Sequence, residues 1–272
     1  MRHNVERFVA PLQGHGGGLL YYLPAALLLL LPYSGLFLAT LPDLRRLRRD
    51  PVDCFLWCWF LFVFVFFSLA GTKLPHYLLY GATPLFILMA RRRQALRSAV
   101  LAFGPALLLL AAVLALPFLL RRFAPGIRNA YLREALWQPG VFDGAWLLGA
   151  ALLFALVAGL ALWRGAPMWP RMAVAGLACA CATGALLLPA LAALQQGPVK
   201  EAALLARSRG WQVVSWRINA PSFSVYRQGL TPGVSAPGAG AVVLTRSDAL
   251  PGLGAARVLY RKGGVVLARM PE

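Results

Sequence analysis

The sequence predicts a mainly α-helical, polytopic membrane bundle of about six spans with a small C-terminal α/β domain. Of its 272 residues, 60% are hydrophobic and only 13% are charged, a composition too apolar for an ordinary soluble domain. The apolar residues form runs of membrane-spanning length, separated by short arginine-rich loops. Near residue 197 the long runs give way to short alternating segments and Gly/Pro-rich turns. We therefore expect an outer loop over 1–18, a membrane domain over 19–196 and an α/β domain over 197–272.

Six apolar runs are each long enough to cross a hydrocarbon core of about 30 Å. They cover roughly 19–40, 54–70, 74–90, 98–120, 145–162 and 172–194. We expect Pro24 and Pro32 to kink the first run. Tyr21 and Tyr22 lie at its start, as aromatic residues do at a membrane surface.

The formal charge of +18 comes from 27 Lys and Arg against 9 Asp and Glu. Because the arginines cluster between apolar runs, at 43–53 and 91–97, they favour membrane topology and anionic headgroups over nucleic acid. The positive-inside rule places these loops in the cytoplasm and both termini in the periplasm of a bacterial inner membrane. Arg121 and Arg128 then lie on the outer side, against the rule. Phosphate binding and headgroup anchoring are the two alternatives for them.

The last segment predicts one helix and several strands. Pro198 to Arg209 is typical of an amphipathic helix that stops at a glycine. Short strands are expected over Trp211–Arg217, Ser222–Tyr226, Ala241–Thr245, Arg257–Tyr260 and Val265–Arg269.

The residues identify no catalytic base and no metal centre. None of the nine acids lies within a span or pairs with another at the spacing of a carboxylate dyad. Glu134 and Asp143 are the only carboxylates in the outer loop of 121–144, and surface acids there are more often solvated or paired with arginine. The four cysteines lie in apolar runs without zinc spacing, which favours small buried hydrophobic residues. A divalent metal as cofactor stays an open alternative.

The most distinctive stretch joins the second and third runs, from Ser68 to Tyr80. Lys73 and His76 are costly at such a joint unless they bind something. Pro75 is well placed to begin the next helix, since its missing N–H would be unpaired there. The combination predicts an anion site at a membrane surface. The alternatives are a lysine that extends to the interface and a hydrogen-bonded interfacial histidine.

Several pieces of the sequence together resemble a known family. They are Arg7-Phe8, His15-Gly16-Gly17, Tyr21 to Pro24, Gly71 to Tyr77, Pro221 to Arg227 and Val242 to Arg246. In this order they resemble the C-terminal half of bacterial membrane glycosyltransferases, the lipid A aminoarabinose transferases and the protein O-mannosyltransferase superfamily. The Lys-Leu-Pro-His-Tyr piece, 73–77, is the most specific of them.

The resemblance implies the GT-C fold and inverting transfer from a polyprenyl-phosphate sugar to a lipid, glycan or protein acceptor. It implies donor-phosphate binding by Lys73, His76, Tyr77, Arg121 and Arg128. The rim of the substrate cavity would include Arg7, His15, Tyr21 and Tyr22. The family's catalytic aspartate lies in its N-terminal half, so no residue of this chain is expected to be the base, and a missing half or partner chain is expected to supply it.

Two alternatives to an enzyme are open. One is a non-catalytic membrane protein that binds lipid phosphates or a partner subunit through the same basic outer face. The other is a transporter, which ranks last because transporters carry polar or charged residues within their spans.

Overall fold

The computed structural model describes residues 18–94, 96–136 and 138–272, without the side chains of residue 19 and of 46–49. The chain forms two compact units. Unit 1 extends to Ala112 and includes Leu152–Cys181; unit 2 comprises Val113–Ala151 and Ala182–Glu272.

Helices account for most of the described residues, which confirms the predicted fold class. The α-helices are α1 (Tyr22–Leu29), α2 (Ser34–Thr40), α3 (Pro51–Leu69), α4 (Ala82–Arg92), α5 (Ala99–Phe123), α6 (Ala130–Leu136), α7 (Gly144–Leu162), α8 (Met168–Cys181), α9 (Leu188–Ser208) and α10 (Pro221–Arg227). Shorter 3₁₀ helices cover Leu19–Tyr21, Leu41–Arg49, Pro75–Gly81, Ala124–Gly126 and Leu250–Leu253, and a π-helical segment covers Ala182–Leu187.

Four helices in the described residues are long and apolar enough to cross a membrane: Pro51–Leu69, Ala99–Gly126, Gly144–Leu162 and Met168–Ser208. They coincide with four of the six runs. The first run is instead a pair of helices bent by 119°, which makes a fifth candidate if the pair is one span. Pro32 lies at the bend, where a residue without an N–H cannot continue the helical hydrogen bonds.

The third run divides into a 3₁₀ helix, Pro75–Gly81, and α4. Together they are about 30 Å long, close to the length of the 19-residue α3. α3 packs side by side with the 3₁₀ helix and α4, and together they form an antiparallel hairpin within unit 1. The Trp59 indole N–H donates to the carbonyl of Tyr80 at 3.1 Å. A Cβ on Gly81 would lie only 3.2 Å from the Phe60 ring, so glycine allows the close packing.

The open end of this hairpin carries an ion-pair network. Asp50 caps α3 by accepting hydrogen bonds from the backbone N–H groups of Val52 and Asp53. The bond from Asp53, together with that from Val52 and the nearby arginines, holds the pKa of Asp50 below its usual range despite its desolvation. Arg91 pairs with both Asp50 and Asp53, and Arg92 pairs with Asp53 at 3.0 Å. The two arginine-rich loops therefore lie at one end of the hairpin, as the topology prediction requires.

Unit 2 contains a four-stranded mixed sheet in the order β1–β2–β4–β3. The strands are β1 (Val213–Ser215), β2 (Val242–Arg246), β3 (Arg257–Lys262) and β4 (Val265–Arg269). β1 and β2 are parallel, whereas β4 is antiparallel to both of its neighbours. The C-terminal half of α9 packs on one face through Ala202, Ala203 and Ala206. These small residues allow the helix to lie close to the strands.

One predicted strand is wrong. The stretch Ser222–Tyr226 is helical and belongs to α10. Pro221 occupies the first turn of the helix, and Phe223 and Arg227, four residues apart, are both buried on the same face. Gln228 ends the helix in the left-handed conformation at φ 57°. The alternation of apolar and polar residues in this short segment indicated a strand, although its buried residues are spaced as on a helix.

Candidate functional site

Lys73 lies in the turn between α3 and the 3₁₀ helix and is 5% exposed. Its ammonium donates to the carbonyls of Ser68 and Ala70, each at 2.7 Å. Those carbonyls belong to the end of α3, where backbone acceptors have no partner within the helix. No carboxylate among the described residues pairs with Lys73. An ammonium has three protons to donate, and these two carbonyls accept two of them.

Tyr22 holds the backbone beside this lysine. Its hydroxyl donates to the carbonyl of Leu74 and accepts from the Leu74 N–H, both at 3.1 Å. The side chain is fully buried, in a cluster that includes Ala26 and Leu78 with Tyr21 at its border. The reciprocal pair fixes residue 74 against α1, and with it the position of Lys73.

The aromatic residues that follow Lys73 pack along α3. The Tyr77 ring stacks on Phe67 with centroids 4.6 Å apart. His76 is exposed and lies edge-on to Tyr77 at 4.9 Å. The seven-residue 3₁₀ helix that begins at Pro75 is shorter and tighter than the predicted helix.

The structure brings together five of the predicted site residues in unit 1: Tyr21, Tyr22, Lys73, His76 and Tyr77. Arg121 ends α5 and Arg128 precedes α6, both in unit 2. Both side chains are exposed, and neither has a carboxylate partner among the described residues. The remaining two predictions, Arg7 and His15, lie outside the described residues, as does the predicted loop of 1–18 apart from Gly18.

The carboxylates of the predicted outer loop are engaged in structural contacts. Glu134 pairs with Arg261 at 2.6 Å, and Asp143 accepts the Trp146 backbone N–H at the start of α7. In the parts of the chain that the structure describes, no three His, Cys, Asp or Glu side chains are grouped to hold a metal ion.

Unit 2 contains a cleft of about 500 Å³ between α6, the middle of α9 and the start of α10. Leu132, Leu136 and Leu191 give it apolar walls, whereas Asn219 and Gln195 contribute amide groups. Sequence reasoning missed this cleft because its walls come from segments far apart in the chain. It also missed the carbonyls that bind Lys73, because every residue has a backbone carbonyl and the residue type does not indicate which one accepts a hydrogen bond.

The chain is similar in sequence to bacterial arabinosyl transferases. It is 38% identical over 89 residues to "undecaprenyl phosphate-alpha-4-amino-4-deoxy-L-arabinose arabinosyl transferase 2" of Proteus mirabilis, a match that covers 32% of this chain and 16% of the relative. It is 32% identical over 180 residues to the corresponding transferase of Erwinia tasmaniensis, covering 61% of this chain and 32% of the relative. No protein-family model matches the chain.

The fold is similar to that of a solved transferase. ArnT from Cupriavidus metallidurans bound to undecaprenyl phosphate superposes with a TM-score of 0.66 at 18% identity, over 99% of this chain and 54% of that one. The apo state of the same enzyme gives a TM-score of 0.62. The chain thus spans about half the length of the solved relative, and its aligned segments cover less than a third of the curated ones. Sequence and fold together confirm that the chain resembles bacterial undecaprenyl phosphate-aminoarabinose arabinosyl transferases over part of their length.

Proposed function

We propose that this chain forms part of a membrane glycosyltransferase that uses a polyprenyl-phosphate sugar as its donor. The names of the transferases that it resembles include undecaprenyl phosphate and an aminoarabinose sugar. A sugar linked to a polyprenyl phosphate is therefore the first candidate for the donor of this chain. The alternative of a non-catalytic lipid-binding protein is not favoured, because the similar proteins of known function are transferases.

The environment of Lys73 carries the proposal. A buried ammonium is unfavourable unless its charge is compensated, and two neutral carbonyls compensate it only in part. The unused proton of Lys73 suits a phosphate oxygen, because hydrogen bonds between charged groups are shorter and stronger than neutral ones. Ser68 and Ala70 would then orient the ammonium before the donor arrives.

The proposed reaction is a displacement at the anomeric carbon of the sugar. An acceptor oxygen attacks that carbon, the bond to the donor phosphate breaks, and polyprenyl phosphate leaves with the bonding electrons. The ammonium of Lys73 stabilises the charge that grows on the leaving phosphate. The acceptor's proton passes to a base, a role to which no residue of this chain is assigned.

The other predicted residues have supporting roles in this proposal. Exposed His76 beside Tyr77 would contact the headgroup of the donor at the membrane surface. Arg121 and Arg128, which have no carboxylate partner in the part of the chain that the structure describes, would bind a phosphate of donor or acceptor. The cleft in unit 2 would hold the apolar part of a lipid substrate, because four leucines, Val199 and Ile218 are among the residues that line it.

The proposed location is a bacterial inner membrane, with the Lys73 turn on the periplasmic side. The Lys73 turn and the ion-paired arginines lie at opposite ends of α3. This helix has 19 residues and is therefore about 28 Å long, close to the thickness of a hydrocarbon core. Because the arginine-rich loops favour the cytoplasm, the opposite end of the hairpin faces outward. Both termini would then be periplasmic.

The test is a binding measurement with undecaprenyl phosphate on the purified full chain in detergent. We expect Lys73→Gln to weaken binding at least about tenfold, the equivalent of roughly 1.4 kcal/mol. Lys200→Gln is the matched control, since Lys200 is exposed on α9 and contacts the Tyr226 ring. Thermal unfolding checks that both proteins are folded. If Lys73→Gln then binds undecaprenyl phosphate as tightly as the unaltered chain, the assignment is contradicted.

A further inference from the structure

Two neighbouring grooves open at the end of unit 1 that carries the arginine-rich loops. Both are lined by Arg93 and Trp169. The first, about 140 Å³, continues between apolar side chains that include Leu36 and Met172. The second, about 250 Å³, is bordered by Gln94 and Met168. A charged and polar mouth is thus joined to an apolar furrow.

Arg93 gives this mouth a positive charge that no described acid neutralises. Its guanidinium lies 5.6 Å from the centre of the Trp169 ring, and one of its N–H groups donates to the carbonyl of Ala90 at 2.7 Å. The nearby acids Asp43, Asp50 and Asp53 pair with the preceding arginines, residues 91 and 92. Arg93 therefore has no carboxylate partner among the described residues and keeps N–H groups for a ligand.

The wall opposite Arg93 is held in place by a buried arginine. Arg171 is 8% exposed. It donates to the carbonyls of Leu160 at 2.8 Å, of Pro167 at 3.4 Å and of Trp163. These bonds join the end of α7 and the following loop to α8, the helix that carries Trp169. The hydroxyl of Tyr33, which lines the first groove, donates to the Met172 carbonyl at 3.4 Å.

We infer that this pair of grooves binds an anionic phospholipid. The phosphate would lie against Arg93 in the mouth, and an acyl chain would follow the furrow along Leu36 and Met172. Basic pockets between transmembrane helices bind anionic headgroups in this way, and a tryptophan beside the arginine suits the interfacial depth. The site is separate from Lys73 and does not depend on the proposed transferase activity.

The experiment measures lipid binding to the detergent-solubilised full chain by native mass spectrometry. The probes are phosphatidylglycerol and phosphatidylcholine with identical acyl chains. We expect phosphatidylglycerol to bind the unaltered chain at least fivefold more tightly, and Arg93→Gln to remove this preference. Arg257→Gln is the matched control, because Arg257 is an exposed arginine on β3 in unit 2 and its loss should leave the preference unchanged.

A second variant, Trp169→Leu, tests the same mouth without altering charge and should weaken phosphatidylglycerol binding while the protein stays folded. Thermal unfolding of each variant checks folding. An undiminished preference in Arg93→Gln would overturn the inference, as would undiminished phosphatidylglycerol binding in Trp169→Leu. Equal binding of the two lipids to the unaltered chain would overturn it as well. Competition by inorganic phosphate at the same concentration would also overturn it, because the acyl chain would then contribute nothing.

Discussion

In the proposed account Lys73 combines two roles that residue type alone does not separate. It closes the end of α3 by binding the carbonyls of Ser68 and Ala70, and it would donate its third proton to an anion. The sequence indicated a costly lysine at a joint between apolar runs, which was sufficient to select it. The capping contacts were not predictable, because they depend on how the turn folds back on the helix.

Tyr22 provides a test of how rigidly this turn is held. Tyr22→Phe removes one hydroxyl that both donates to and accepts from Leu74, and it takes this partner from two partly buried backbone groups. We expect a loss of about 1–3 kcal/mol in the free energy of unfolding, together with weaker undecaprenyl phosphate binding. Tyr21→Phe is the control, since its ring borders the same cluster. Equal losses in the two variants would contradict the role of the Tyr22 hydroxyl.

Asp248 provides a pH test in unit 2. Burial acts to raise the pKa of this carboxyl, but hydrogen bonds from Arg246 and Asn129 and the charge of Arg246 together lower it below the usual range. A lowered folded-state pKa contributes stability above the unfolded value of about 3.9, and that contribution is lost as the pH falls through the folded value.

Asp248→Asn should therefore be less stable than the unaltered chain at pH 7, by roughly 1 kcal/mol. The difference should shrink as the pH falls below about 4. Denaturant unfolding at a series of pH values measures it. A difference that stays constant down to pH 3 would show that the carboxylate charge does not contribute.

At the scale of elements, the long periodic runs were predictable and the short ones were not. Four apolar runs became single long helices, because about 20 apolar residues leave few alternatives in a membrane. β4, Val265–Arg269, has its predicted bounds, whereas 222–226 is a helix. A segment this short supports a strand or a helix about equally, and the packing of Phe223 decides between them.

The hairpin of α3 and α4 gives a prediction at this scale. Asp53→Asn removes the partner that two arginines share, at an aspartate that is 8% exposed. Because the arginines are partly solvated, we expect a cost of about 1–3 kcal/mol, between the values for surface and buried pairs. Hydrogen exchange should show faster opening of the end of α4.

Asp43→Asn is the graded control for this hairpin. Among the described side chains Asp43 makes a single ion pair, to Arg92, so its loss should cost less than that of Asp53. Equal costs for the two variants would mean that the shared carboxylate has no special part in holding the hairpin.

At the scale of the whole molecule, composition and topology indicated the membrane class and the resemblance indicated the enzyme class. Composition could not indicate the cleft in unit 2 or the grooves at Arg93, because each joins residues far apart in sequence. Lys73 and the ion-paired arginines lie at opposite ends of one hairpin, so the position of single residues relates directly to the orientation of the whole molecule. Under the proposed function, the residue that we propose to bind phosphate would lie at one membrane surface and the topology-determining charges at the other.

The most direct test is a transfer assay in membranes that contain this chain together with the N-terminal half of a homologous transferase. The donor is a radiolabelled polyprenyl-phosphate sugar. We predict sugar transfer with the unaltered chain and with Lys200→Gln, and at least tenfold less with Lys73→Gln, the equivalent of roughly 1.4 kcal/mol. Undiminished transfer with Lys73→Gln would contradict the role of Lys73. Absence of transfer from a folded mixture that binds undecaprenyl phosphate would contradict the proposed glycosyltransferase.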